Sequence, residues 1–111
     1  MNLSIKGTHI ELTPSIRMYV EDKFGNLEKY IDAMEGKVEL ERDQRHQTGP
    51  VYRAELTMIV GGKIMRAEAR GEDIYAAIDM VVPKIKEQIS KFKDKKTTLR
   101  RRGARKAKGK L

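Results

Sequence analysis

Gly61-Gly62 separates two stretches in which apolar and polar residues alternate. Two adjacent glycines between alternating runs predict a tight β-hairpin, because the favoured two-residue turn needs positive φ at both positions. The middle of the chain is thereby committed to antiparallel sheet. Before the turn, Tyr52, Ala54, Leu56 and Met58 point to one face, and Arg53, Glu55 and Thr57 to the other. After it, Met65, Ala67 and Ala69 oppose Arg66, Glu68 and Arg70. A sheet with one apolar face must bury that face against another layer.

The flanking sequence supplies the layer. Leu3 and Ile5 alternate with polar neighbours, which predicts a first strand over about Asn2–His9. Thr13-Pro14 then reads as an N-cap and a first helical residue. Ile16, Val20, Phe24, Leu27 and Ile31 continue as a helical stripe, predicting a helix over about Pro14–Ile31, with Gly36 expected to turn the chain out. Val38 and Leu40 mark a second strand over about Lys37–Asp43, and Gln44–Pro50 is a polar loop. Asp73 is the expected N-cap of a second helix whose stripe is Ile74, Ile78, Val81, Ile85, Ile89 and Phe92. Pro83 falls inside that helix and is expected to kink or loosen it. The predicted class is α+β, in the order β-α-β-β-β-α. Two helices pack on one face of a four-stranded mixed sheet, and the single crossover makes the first two strands parallel.

Charge divides the chain. Its 111 residues carry a net +8, yet Lys93–Leu111 alone holds ten Lys/Arg and one Asp, a net +9 that leaves −1 for the rest. The expected organisation is a folded domain over residues 1–95 and a basic tail over 96–111, too poor in apolar residues to order itself. Such asymmetry points to a polyanionic partner. Several classes fall away. There is no Cys, hence no disulfide framework, thiolate metal site or Cys nucleophile. No apolar run approaches the roughly 20 residues that cross a bilayer, and no basic-then-apolar leader opens the chain, so a soluble, cytoplasmic protein without membrane contact is expected. His9 and His46 have no partner in ligand register, and Gly61-Gly62-Lys63 lacks the strand–loop–helix setting of a phosphate loop. The expectation is a protein with no catalytic residue, metal, cofactor or small-molecule substrate.

The outer sheet face has nearly cancelling charges and no aromatic residue, a poor platform for stacking bases. The second helix differs. Lys84, Lys91 and Lys95 line one edge, with Lys86 and Lys93 flanking it. From Lys84 to Lys96 there are six Lys against Glu87 and Asp94, more than a helix macrodipole uses. Continued by Arg100, Arg101 and Arg102, they form a basic track suited to phosphates.

The string Gly71-Glu72-Asp73-Ile74-Tyr75-Ala76-Ala77-Ile78-Asp79, trailed by Lys84, Gln88, Lys91, Lys93 and Lys95, resembles the second-helix signature of the hibernation promoting factor/ribosome-associated inhibitor A family, in its short form. The opening is similar too, in Ile10-Glu11-Leu12-Thr13, Arg17, Val20, Lys23-Phe24, Leu27-Glu28 and Tyr30. The resemblance implies a fold related to double-stranded-RNA-binding domains. It implies binding to the small ribosomal subunit through 16S rRNA at the decoding region, exclusion of mRNA and tRNA, silencing of idle ribosomes and a bearing on ribosome pairing. The rRNA-facing positions it implies are Lys23, Lys29, Lys84, Lys91, Lys93 and Lys95, to which the basic track adds Lys86 and Arg100–Arg102. Asn26 and Glu87 stand where Lys and Arg are common in the family. A monomer is expected when free. Two rival readings are a general binder of double-stranded RNA, which duplex competition separates, and a protein-binding modulator of a sigma factor, which survives nuclease treatment.

Overall fold

The computed structural model describes residues 1–33, 35–45 and 48–109, with side chains as far as residue 94. Strand β1 spans Asn2–Thr8, β2 Glu35–Arg42, β3 Tyr52–Val60 and β4 Lys63–Gly71. Helix α1 spans Pro14–Gly25, and α2 spans Ile74–Gly109. The sheet order is β1-β2-β3-β4, with β1 parallel to β2 and the other pairs antiparallel. This is the predicted β-α-β-β-β-α mixed sheet. Gly61 and Gly62 take φ of 54° and 78°, the left-handed values the tight turn demands.

Both helices start where side chains satisfy their first donors. Thr13 Oγ1 accepts from the Ile16 N–H at 3.2 Å, and Asp73 Oδ1 accepts from the Ala76 N–H at 2.8 Å. The core closes between sheet and helices. Val20, Phe24, Leu40, Leu56, Met58, Ile78, Val81 and Ile85 are all fully buried. Each comes from an apolar position of the sequence stripes. Burial of this kind contributes about 1.5–3 kcal/mol for a large aliphatic or aromatic side chain.

The first helix is shorter than its stripe. Gly25 and Asn26 are weak helix formers, and the chain tightens there into a 3-10 turn, Asn26–Lys29. Leu27 and Ile31 still reach the core, because the tighter turn keeps them on the inner side. Gly36 does not turn the chain out of the helix. It lies inside β2, where a Cβ would sit 2.8 Å from Leu3 Cδ2, so it is small to let β1 side chains close over it. Helix α2 passes through Pro83 as one element. Pro83 is exposed, so water can serve the Asp79 carbonyl that loses its donor. The helical backbone continues to Gly109, beyond the residue 95 boundary suggested by composition. Lys, Arg and Ala are strong helix formers, and extending a packed helix is far easier than nucleating one.

Edge strand β4 is served by α2. Gln88 bonds the backbone of Arg66 twice, its Nε2 donating to the carbonyl at 2.6 Å and its Oε1 accepting from the N–H at 3.1 Å. One turn earlier, Lys84 Nζ donates to the Glu68 carbonyl at 2.8 Å.

Candidate nucleic-acid interface

The two faces of the molecule use their charges differently. On the outer sheet face, alternation brings Arg53 of β3 between its neighbours. Its guanidinium pairs with Glu39 and Glu41 of β2, with Glu55 two residues along, and with Glu68 of β4. Arg66 adds a pair to Glu55 at 3.1 Å. Four carboxylates thus share two guanidiniums, and the Arg53 side chain is only 12% exposed. The arginines of this face are thus neutralised within it, while Lys6 and Lys37, towards β1, stand exposed with no ion pair among the described residues.

Further along the sheet, Asp43 is the one buried charged residue among those described. Arg45, through its guanidinium and backbone N–H, and then Arg70, hold its carboxyl well below the usual carboxylate range. The group anchors the loop after β2. His9 opens the loop after β1 with φ of 56°, and His46 lies outside the described residues. Among the described residues no three His, Asp or Glu side chains gather as a metal site. No described helix is long and apolar enough to cross a membrane.

The predicted basic residues divide into two rows. At 3.6 residues per turn, Lys86 and Lys93 stand about 200° around α2 from Lys84 and Lys91. The first row faces β4. Lys84 is tied to the Glu68 carbonyl, and Lys91 pairs with Glu87 at 3.1 Å. The second row faces α1 and the 3-10 turn. Lys86 Nζ lies 5.0 Å from the centroid of the Tyr30 ring, and Lys86 and Lys93 line a cavity of about 310 Å³ with Tyr30, Ile89 and Ser90. Lys23 of α1 lies over Tyr19 at 5.5 Å, and Lys29 is exposed at the end of the 3-10 turn. Among the described residues, Lys23, Lys29, Lys86 and Lys93 take part in no ion pair. The side chains of Lys95, Arg100, Arg101 and Arg102 lie outside the described part of the structure.

Sequence patterning does not single out the tyrosines. Tyr19 and Tyr75 meet edge-to-face across α1 and α2, with centroids 4.9 Å apart. The Tyr19 hydroxyl donates to Asp79 Oδ1 at 2.5 Å, and that bond, with some desolvation, pushes its pKa up to about 12. Tyr30 sits at the end of the 3-10 turn, 43% exposed. The sequence signals for them are the family resemblance, which includes Tyr30 and Tyr75, and spacing, since Tyr19 lies four residues before Lys23 on one helix.

A basic, aromatic-lined seam thus runs between the two helices. The model of a family described as Sigma 54 modulation protein / S30EA ribosomal protein matches residues 3–97. The chain belongs to this family. The ribosome hibernation promoting factor of Escherichia coli strain K12 is 34% identical over 95 residues, covering 86% of this chain and 96% of that protein. The ribosome hibernation promotion factor of Bacillus subtilis strain 168 is also 34% identical, over 96 residues that make up 86% of this chain but only 50% of that one. Among solved structures, the Protein Y N-terminal domain of Thermus thermophilus matches with a TM-score of 0.70 at 33% identity, covering 83% of this chain and 99% of the domain. The resemblance carried by the Gly71–Asp79 string is borne out, and so is the two-helix, four-stranded mixed sheet.

Proposed function

We propose that this S30EA-family chain is a ribosome hibernation factor acting without catalysis. It binds the small ribosomal subunit at the decoding region, contacts 16S rRNA phosphates and excludes mRNA and tRNA by occupancy. The observation that carries this reading is the set of ammonium groups without an ion pair among the described residues, Lys23, Lys86 and Lys93 at the α1–α2 seam and Lys29 at the end of the 3-10 turn. Relatives named for ribosome hibernation support the choice of partner. Phosphate contacts give affinity without reading sequence, which suits a partner recognised by the shape of its RNA channel. The basic tail, residues 96–111, adds contacts of the same kind beyond the folded body.

Co-sedimentation with purified small subunits over a range of salt tests the proposal. Each phosphate engaged contributes a slope of about −0.7 to −0.9 in log K against log salt. A steep slope is expected, together with preference for subunits over plain RNA duplex. A flat response rejects the electrostatic mechanism. Deleting residues 97–111 is expected to lower affinity and slope while leaving the melting temperature of the body unchanged.

A further inference from the structure

We infer that the cavity between α2 and the 3-10 turn after α1 takes one unpaired RNA base, stacked on Tyr30, with the flanking phosphates held by Lys86 and Lys93. The inference rests on the function proposed above and deepens it. Four observations carry it. Tyr30 leaves 43% of its surface in solvent, although core positions lie on either side of it at Leu27 and Ile31. Tyr30 is the most exposed ring among the described residues, and like Tyr52 beneath Arg42 and Phe92 beneath Lys63 it has one cation over it, Lys86. The cavity, about 310 Å³, stands at the small end of the range for ligand sites. That volume suits one flat heterocycle. Its wall carries two cations, as a base with a phosphate on each side requires.

The chemistry of the lining explains how such a site works. Lys86 lies over the Tyr30 ring and is held there by the ring's quadrupole. An arriving base offers Tyr30 a larger stacking partner, and its phosphate offers Lys86 a full negative charge. The ammonium group therefore moves from ring to phosphate as the base enters. Ser90 can donate or accept, so it meets the edge of any base. Stacking is equally tolerant, since every base has a π-face. The site reads an unstacked nucleotide rather than a sequence. Duplex RNA, whose bases are stacked and paired, does not fit it.

The chain contains no Trp, so Tyr30→Trp provides a single fluorescent reporter in the full protein. Its emission is to be followed during titration with adenosine monophosphate, a short single-stranded RNA, a blunt RNA duplex and isolated small subunits. Quenching by single-stranded RNA and by subunits is expected, with none by the duplex and far weaker quenching by the mononucleotide. Equal quenching by mononucleotide and oligomer would make a free nucleotide the ligand and overturn the assignment to RNA. Tyr30→Leu should weaken subunit binding roughly 5- to 150-fold, the equivalent of about 1–3 kcal/mol for one stacked base, with the salt slope unchanged. Tyr30→Phe should bind as the wild type does. If wild-type protein binds subunits with a steep slope, Tyr30→Leu binds equally well and the emission of the Tyr30→Trp reporter stays constant, the base site is wrong and the hibernation reading survives. If subunits are not bound but single-stranded RNA quenches the reporter, the reverse holds. Should Tyr30→Leu fail to fold, the quenching pattern decides alone.

Discussion

The arginine cluster of the outer sheet face and the α1–α2 seam both carry basic residues and use them oppositely. On the sheet, Arg53 and Arg66 are consumed by four glutamates on three adjacent strands. In the seam, Lys23 and Lys86 lie against aromatic rings, and neither they nor Lys93 meet a carboxylate among the described residues. A cation resting on a ring remains free to exchange that ring for a phosphate. A guanidinium locked among carboxylates is not, because leaving them exposes their repulsion. Net charge is thus a poor guide to binding surface; the relevant quantity is charge without a partner.

The contrast can be broken most forcefully at the seam. Replacing Lys86 and Lys93 together with Glu should reduce affinity for small subunits about a hundredfold or more, since two phosphate contacts become repulsions. The melting temperature should stay put, and sedimentation over a salt series should show a shallower slope. Unchanged binding would move the interface elsewhere. Arg53→Met tests the opposite face. It should lower stability by about 2–3 kcal/mol in urea unfolding, between the values for exposed and buried pairs, while subunit binding is retained. Gln88→Ala removes two bonds to the Arg66 backbone and should cost about 1–2 kcal/mol, again without affecting RNA affinity. The smallest effect belongs to Tyr19→Phe, a few tenths of a kcal/mol near neutral pH, because the bond to Asp79 is exposed. Its pH dependence sharpens the test. The native hydroxyl keeps its proton up to about pH 12, whereas the unfolded chain releases it near 10.0. The contribution is therefore complete below pH 10.0 and fades as pH rises towards 12. Urea unfolding of both proteins across that window should show the wild type losing stability relative to Tyr19→Phe as pH rises.

Periodicity made most of the fold legible. The four strands, the Gly61-Gly62 turn, the Thr13 and Asp73 caps and both apolar stripes stand where alternation and helical spacing put them. Two misreadings have local causes. Leu27 and Ile31 keep a helical rhythm because a 3-10 turn can present the same face, so the stripe does not reveal where α1 tightens. Gly36 resembles a turn residue because a glycine reports only that space is short; whether a turn or a neighbouring side chain uses that space depends on β1, distant in sequence. The site was less legible. Helical spacing separates Lys86 and Lys93 from Lys84 and Lys91, but which row faces α1 and which faces β4 requires the packed sheet. Lys84 is the instructive case: it stands on α2 where the basic track puts it, yet its amine is bonded to the Glu68 carbonyl. Tyr30 appears in the sequence only as part of the family resemblance, because its exposure depends on how the chain leaves α1.

Gln88 has a consequence for life at high concentration. An open strand rim is a template on which a neighbouring molecule can crystallise its own backbone, strand upon strand. By occupying both polar groups of Arg66 with one amide, the glutamine imitates the missing neighbour and closes that template at this point. The same helix that carries the seam's lysines therefore also caps part of the β4 edge.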